Sequence, residues 1–157
     1  MIRYLLDTNI VSEAVKATPS VELIDWLGER DNDSLYIASF SIAEIARGIL
    51  TKPPGHRRRA LEAWFSGPEG PQGLFADRIL PFDVGAALAW AHLMAEGVAA
   101  GQPRSALDMI IAAVADANGC VVVTGNERHF RGVIEMLNPL GGQGSDPRHP
   151  SAAGNPR

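Results

Sequence analysis

Short apolar runs alternating with helix-spaced segments predict an α/β sandwich whose central, twisted sheet is mostly parallel and flanked by helices. Three observations carry this. Arg3-Tyr4-Leu5-Leu6 is an apolar run that stops at Asp7-Thr8-Asn9, residues that end strands and start helices. Cys120-Val121-Val122-Val123-Thr124 is dominated by β-branched side chains, which favour strands. Between these two runs, apolar residues recur mainly at helical spacing.

The elements follow in order. Ile10-Val11 and Ala14-Val15 continue a first helix, and Ser20 opens a second with Val21, Leu23, Ile24 and Leu27 on its apolar side. Leu35-Tyr36-Ile37 reads as a buried strand, and a helix spans Ser41 to Leu50 until Lys52-Pro53-Pro54-Gly55 breaks it. Arg57 to Phe65 is an amphipathic helix with a basic start, and Gly67 to Gly73 reads as a loop. Ile79 to Asp83 is a brief strand, with Asp83 placed to cap a helix through Ala99. Ser105 to Ala117 forms another helix, which Gly119 ends, and a last strand lies near Val133 to Leu137. Residues 1–140 make one domain. Residues 141–157 are rich in Gly, Pro, Ser and other small or polar residues with almost no large apolar side chain, a composition that cannot offset its ordering entropy and is expected to be disordered.

Composition limits the classes of function. The 157 residues are enough to bury a single core, and a net charge of -4 supplies no global basic field for tight nonspecific nucleic-acid binding. The single cysteine excludes an intramolecular disulfide, and Cys120 sits in an apolar run as a small buried hydrophobe rather than a nucleophile. No apolar stretch is long enough to span a bilayer and no signal-peptide pattern opens the chain, so a cytoplasmic location with no membrane partner is expected.

The acids Asp7, Glu44 and Asp108 stand out because each is followed by apolar residues at a point where a helix enters the core. Each also has a purely structural explanation. Ser41-Ile42-Ala43-Glu44 has capping-box spacing, Ser105-Ala106-Leu107-Asp108 nearly so, and Asp7 fits a helix N-cap favoured by the helix dipole. If the three meet, each like-charge pair at ~4 Å costs about 4 kcal/mol at an effective dielectric near 20, so the site needs a cation. Clustered oxygen ligands without Cys or His point to Mg²⁺ or Mn²⁺ rather than zinc. Sequence alone does not show that they meet.

Leu5-Leu6-Asp7-Thr8-Asn9-Ile10-Val11-Ser12-Glu13, Ser41-Ile42-Ala43-Glu44-Ile45-Ala46-Arg47-Gly48 and Leu107-Asp108-Met109-Ile110-Ile111-Ala112-Ala113 resemble the ordered motifs of PIN domains, and Val122-Val123-Thr124-Gly125-Asn126 resembles the fourth. The likeness is greatest to the VapC/FitB-type toxins of toxin–antitoxin pairs, helped by Ile79 to Asp83 and the ending Leu137-Asn138-Pro139, and it covers about residues 2–140. It implies a PIN-like sandwich and a Mg²⁺-dependent endoribonuclease, with Mn²⁺ as an alternative ion, that leaves a 5′-phosphate and a 3′-hydroxyl. Asp7, Glu44 and Asp108 are the implied metal-binding acids, Asn126 completes the catalytic set, and Thr8, Asn9 and Thr124 orient it. Many members carry an acid where this chain has Asn126, a change that removes one charge and weakens a second ion. Glu127 and His129 lie nearby, although His129 reads first as an exposed loop residue, and Asp116 reads as facing solvent.

Arg47, one turn beyond Glu44, is a candidate contact with RNA or antitoxin, and Arg57-Arg58-Arg59 reads first as a solvated helix start. Trp26, Trp64 and Trp90 lie on apolar helical faces as core or interface residues. The second to fourth helices are expected to offer an apolar groove. The resemblance implies a homodimer, an RNA substrate and a cognate VapB-type antitoxin laid across the acidic site, whose inhibitory Arg would pair with the carboxylates. Two rivals remain. One is a non-catalytic PIN-like module acting with its antitoxin on operator DNA. The other is a phosphotransfer domain with Asp7 as nucleophile, although Asp7-Thr8-Asn9 lacks the second Asp two residues on that one such phosphatase class uses.

Overall fold

The computed structural model describes residues 1–141, so the tail expected over 141–157 lies, apart from Gly141, outside the described residues. β1 (Arg3–Leu6) is the middle strand of a five-stranded sheet in the order β3-β2-β1-β4-β5, in which every pairing is parallel. β2 (Leu35–Ala38) and β3 (Ile79–Leu80) lie on one side of β1, and β4 (Cys120–Val123) and β5 (Met136–Leu137) on the other. The strand order therefore reverses direction beside β1, and ligands of such sheets gather at the carboxyl ends there.

Side chains alternate across the strands, as the pleat requires. Tyr4, Leu6, Leu35, Ile37, Val121 and Val123 pack on one face with Ile10 and Val11 of α1 (Thr8–Ala14) and Leu23 of α2 (Val21–Gly28). Leu5, Ala38, Cys120 and Val122 pack on the other face with α6 (Val84–Ala99) and α7 (Ala106–Asn118). With both faces covered, the strands read as continuous apolar runs. Cys120 is buried, and that burial pushes its thiol up, against the pull of Arg3.

Capping chemistry sets most helix ends. The Ser20 and Asp83 side chains accept from the backbone N–H of Leu23 and Ala86, and Gly119 closes α7 at φ 63, a left-handed turn that glycine takes without steric cost. The expected helix at Ser41 begins earlier. α3 spans Ser39–Leu50 with Ala38 as its cap, which places Ser41 inside the first turn, fully buried. α4 spans His56–Ser66, and the Gly/Pro loop that follows contains one helical turn, α5 (Pro71–Leu74), opened by a proline whose missing N–H costs nothing there. The strand expected to reach Asp83 stops at Leu80, before Pro81, which cannot donate to the ladder. The strand expected near Val133 to Leu137 is shortened to Met136–Leu137, because the chain still turns through Val133 and Ile134, whose N–H groups donate to Phe130 O at 3.0 and 3.3 Å behind a further helical turn, α8 (Glu127–Phe130). Trp26 and Trp90 pack against the two cores, and the Trp90 indole donates to Ala106 O at 3.0 Å. Among the described residues no helix is long and apolar enough to cross a membrane.

Candidate active site

Asp7 follows the last residue of β1, and its N–H donates to Val123 O at 2.9 Å, so it stands at the carboxyl edge beside β4. It is both a helix cap and the centre of an acidic site. One carboxylate oxygen accepts the Thr8 N–H at 2.7 Å; the other accepts from Asn9 Nδ2 and Thr124 Oγ1, each at 2.9 Å. Thr124 is fully buried just past β4, and its hydroxyl oxygen also accepts the Asn126 N–H at 3.0 Å. Asn9 spans the same gap, since its Oδ1 accepts the Gly125 N–H at 2.9 Å. A Cβ at Gly125 would sit 2.9 Å from a Leu140 methyl and 3.5 Å from Asn9 Oδ1, so the loop after β4 packs closely here, against side-chain tips that can shift.

Glu44 is not a capping residue. Its Oε1 accepts from Thr8 Oγ1 at 2.7 Å, and that hydroxyl also lies 3.0 Å from Ser41 Oγ. Asp108 keeps half of its expected cap: its N–H donates to Ser105 Oγ at 3.3 Å, but its carboxylate turns to His129, with Oδ2 2.5 Å from Nδ1. The reading of His129 as an exposed loop residue is thus corrected. It lies on α8, one residue before Phe130, whose burial in the core beside α7 anchors that turn. A four-residue helix with one apolar anchor leaves no periodic signal. Ser41 and Gly125 were also missed as site residues, Ser41 because its spacing to Glu44 imitates a capping box.

Burial pushes the Asp7 carboxyl above the usual carboxylate range. Hydrogen bonds from Thr124 and the Thr8 N–H pull it down, while the charges of Glu44 and Asp108 push it further up. Among the described residues no Lys or Arg forms an ion pair with Asp7, Glu44 or Asp108. Nor, among them, do three His, Cys, Asp or Glu side chains stand close enough together to form a closed ligand set. A buried, unneutralised carboxylate repelled by two others fits a hard divalent cation of the kind that takes one or two carboxylates and keeps much of its own water. It does not fit a closed zinc cage.

The remaining candidates fall around this centre. Asn126 is exposed beside Asn9 and Gly125, and its side chain makes no cap bond to α8. Glu127 pairs with Arg131 at 3.7 Å. Arg47 is exposed on α3. Of the basic cluster, Arg58 pairs with Glu62 at 2.8 Å, whereas Arg57 lines a groove of about 500 Å³ that ends at Thr8 and Glu44. Trp64 and Leu61 line the same groove, which runs between α1, α3 and α4 and leaves α2 out, unlike the expected apolar groove over the second to fourth helices. Asp116 is exposed at the opposite, amino-terminal edge of the sheet, where it lines a cavity with Met1 and Gly119.

Five parallel strands in this order, with the buried Asp7 at the carboxyl edge of the middle one, define an α/β protein with a strand-end acidic site. The PIN domain family matches residues 4–134, and the chain belongs to that family. It is 35% identical over 136 residues to the plasmid stability protein StbB of Pseudomonas syringae pv. tomato, covering 86% of this chain and 96% of that one. It is 33% identical over 136 residues to the VapC ribonuclease Y4jK of Sinorhizobium fredii, with the same coverage of 86% and 96%. The solved structure of FitAB bound to an IR36 DNA fragment matches with a TM-score of 0.81 at 28% identity, covering 89% of this chain and 97% of the matched one.

Proposed function

We propose that this protein is a Mg²⁺-dependent endoribonuclease, with Mn²⁺ as an alternative ion, and that it acts as the toxin of a type II toxin–antitoxin pair. The observation that carries this reading is Asp7: a buried carboxyl at the strand switch point, pressed by Glu44 and Asp108 and paired with no Lys or Arg among the described residues. Similarity to a protein named a VapC ribonuclease supports the choice of RNA.

Asp7, Glu44 and Asp108 would hold the cation, in part through its own water, with the exposed Asn126 amide at the rim. When bound, the cation supplies positive charge to the scissile phosphate and lowers the pKa of an attacking water. Water oxygen adds to phosphorus, the P–O3′ bond breaks, and the departing 3′-oxygen takes a proton, leaving 5′-phosphate and 3′-hydroxyl ends. Thr124, Asn9 and the Thr8 N–H fix the Asp7 carboxylate, and the Thr8 hydroxyl fixes Glu44. Such preorganisation removes reorientation from the reacting complex. Arg47, exposed one turn beyond Glu44, would meet an RNA phosphate next to the acids.

The groove ending at Glu44 suits a cognate VapB-type antitoxin segment. Its apolar Ile45, Leu61 and Trp64 would hold apolar side chains, and an antitoxin Arg would take the carboxylates as a two-pronged partner. A second copy of the chain would cover the exposed apolar side of α6. Likeness to a complex solved on DNA favours a further role for the toxin–antitoxin pair on operator DNA, alongside cleavage rather than in place of it.

The deciding experiment is RNA cleavage by purified protein with Mg²⁺, compared with the Asp7→Asn, Asp108→Asn double variant. Loss of cleavage in the folded variant is expected, and equal rates would refute the assignment.

A further inference from the structure

Among the described residues, His129 is the one side chain bonded to the Asp108 carboxylate. His129 Nδ1 lies 2.5 Å from Asp108 Oδ2, across 21 positions of sequence, and both side chains are about one-third exposed (33% and 30%). The opposite ring nitrogen accepts from Arg128 Nε at 3.3 Å. An acceptor role at Nε2 places the ring proton on Nδ1, so the imidazole donates to the carboxylate. The backbone that carries the ring is held in place. Phe130 next to it is buried in the core, the His129 N–H donates to Asn126 O at 3.1 Å, and the Arg131 N–H closes the turn on Glu127 O at 2.8 Å.

We propose that His129 is a positioning residue for Asp108: by occupying Oδ2 it fixes the carboxylate plane and presents Oδ1 to the cation. This rests on the metal-dependent reading above and names a residue that reading does not require. A carboxylate at a helix start has free rotamers, and Asp108 has no other side-chain partner among the described residues. Partners of this kind, which touch the ligand and not the ion, typically control about 10- to 100-fold in metal affinity.

Two measurements test it. The first needs no metal. Side-chain ¹⁵N NMR above the usual imidazole titration range should show His129 in the Nδ1–H form, and Asp108→Ala should move it towards the Nε2–H form. The second is Mn²⁺ titration by calorimetry. His129→Ala should weaken binding about 10- to 100-fold, while His129→Asn, whose amide N–H can occupy the place of Nδ1–H, should restore much of it. In an Asp108→Ala background His129→Ala should have no further effect, because its route to the ion has gone. Circular dichroism checks that each variant is folded, and should the alanine variant unfold, His129→Gln, which cannot place its amide at the Nδ1 position, replaces it. An Nε2–H form in the parent protein, unchanged Mn²⁺ affinity in His129→Ala, or additive losses in the cycle would each overturn the proposal. If the parent protein takes up neither Mn²⁺ nor Mg²⁺ while the NMR contact is present, the metal reading itself fails, and with it the role given to His129 towards an ion.

Discussion

Thr8 Oγ1 donates to Glu44 Oε1 at 2.7 Å, tying the first residue of α1 to the middle of α3 across 36 positions of sequence. This bond decides between two readings of Glu44. A capping carboxylate would turn back to its own helix start, whereas this one crosses to the strand edge where Asp7 stands. Thr8→Val keeps the shape of the side chain and removes the donor, so it should cost about 1 kcal/mol of stability. It should also lower RNA cleavage by more than it lowers stability, while Thr8→Ser retains both. Urea denaturation and initial cleavage rates on the same preparations check this. Indistinguishable Val and Ser variants would show that the hydroxyl positions nothing.

Thr124 makes a stronger case, because it is fully buried and its hydroxyl serves both Asp7 Oδ2 and the Asn126 N–H. Thr124→Val leaves a buried carboxylate oxygen with one donor fewer and a backbone N–H without its acceptor. A loss of about 1–3 kcal/mol is expected, larger than for Thr8→Val. The Asp7 carboxyl should also titrate still higher, since its leading downward influence is this hydrogen bond. Denaturation midpoints give the first quantity, and the carboxyl ¹³C resonance of Asp7 followed against pH gives the second. A carboxyl that titrates lower in the variant would contradict the assignment.

Asp7 also makes stability depend on pH in a direction opposite to that of a salt-bridged acid. Its folded pKa lies above the unfolded value, about 3.9, so in the window between them the native state holds more protons than the unfolded chain. The neutral carboxyl's stability advantage is complete below the unfolded pKa and is lost as pH rises through the folded one. Asp7→Asn removes this dependence at one position, though its amide would oppose the Asn9 Nδ2 donor by an amount independent of pH. In metal-free protein, the melting temperature of Asp7→Asn minus that of the parent should grow from pH 4 upwards and level off once Asp7 is ionised. Added Mn²⁺ should reverse the order at neutral pH, stabilising only the parent, by about 3 kcal/mol at a hundredfold excess over Kd. A flat difference across the pH range would mean that Asp7 is not under the strain its surroundings imply.

The layers of the fold were legible because their signals are periodic. Apolar runs at β1, β2 and β4 alternate between the two cores, and Ser20, Asp83 and Gly119 bound their helices by local chemistry. The short elements were not legible. α5 and α8 are single turns stabilised by neighbours rather than by a repeating pattern, and the early start of α3 follows from packing Ser41 under Thr8. The site divides along the same line. Asp7 with Thr8 and Asn9 is one local motif, so those two donors to its carboxylate are close in sequence, whereas Thr124 reaches it across 117 positions. The bonds that orient Glu44 and Asp108 reach across 36 and 21 positions, and spacing within one helix carries no information about them. Capping and site-building also proved compatible, since Asp7 does both and Asp108 keeps its Ser105 cap while turning its carboxylate away.

α6 carries exposed apolar side chains on its outer side. Val84, Leu88 and Val98 are 76%, 64% and 73% exposed, while Ala86, Leu93 and Gly97 of the same helix are buried, so the helix is apolar on both sides. A helix that is apolar all round is stable in water when its second side is also covered. The proposed homodimer supplies that cover, because a two-fold axis beside α6 brings the same residues of each copy together and buries both sets at once. Leu88→Glu would place a charge in the middle of that contact while leaving the inner face of the helix untouched. The variant should keep the parent's circular dichroism and run as a monomer in light scattering at concentrations where the parent is a dimer. Its acids are all present, so cleavage per chain should survive unless the second copy shapes the RNA path, and comparing rates with mass at each concentration separates those outcomes. A parent that is itself monomeric at high concentration would leave α6 uncovered by its own kind and remove the dimer from the description of this protein.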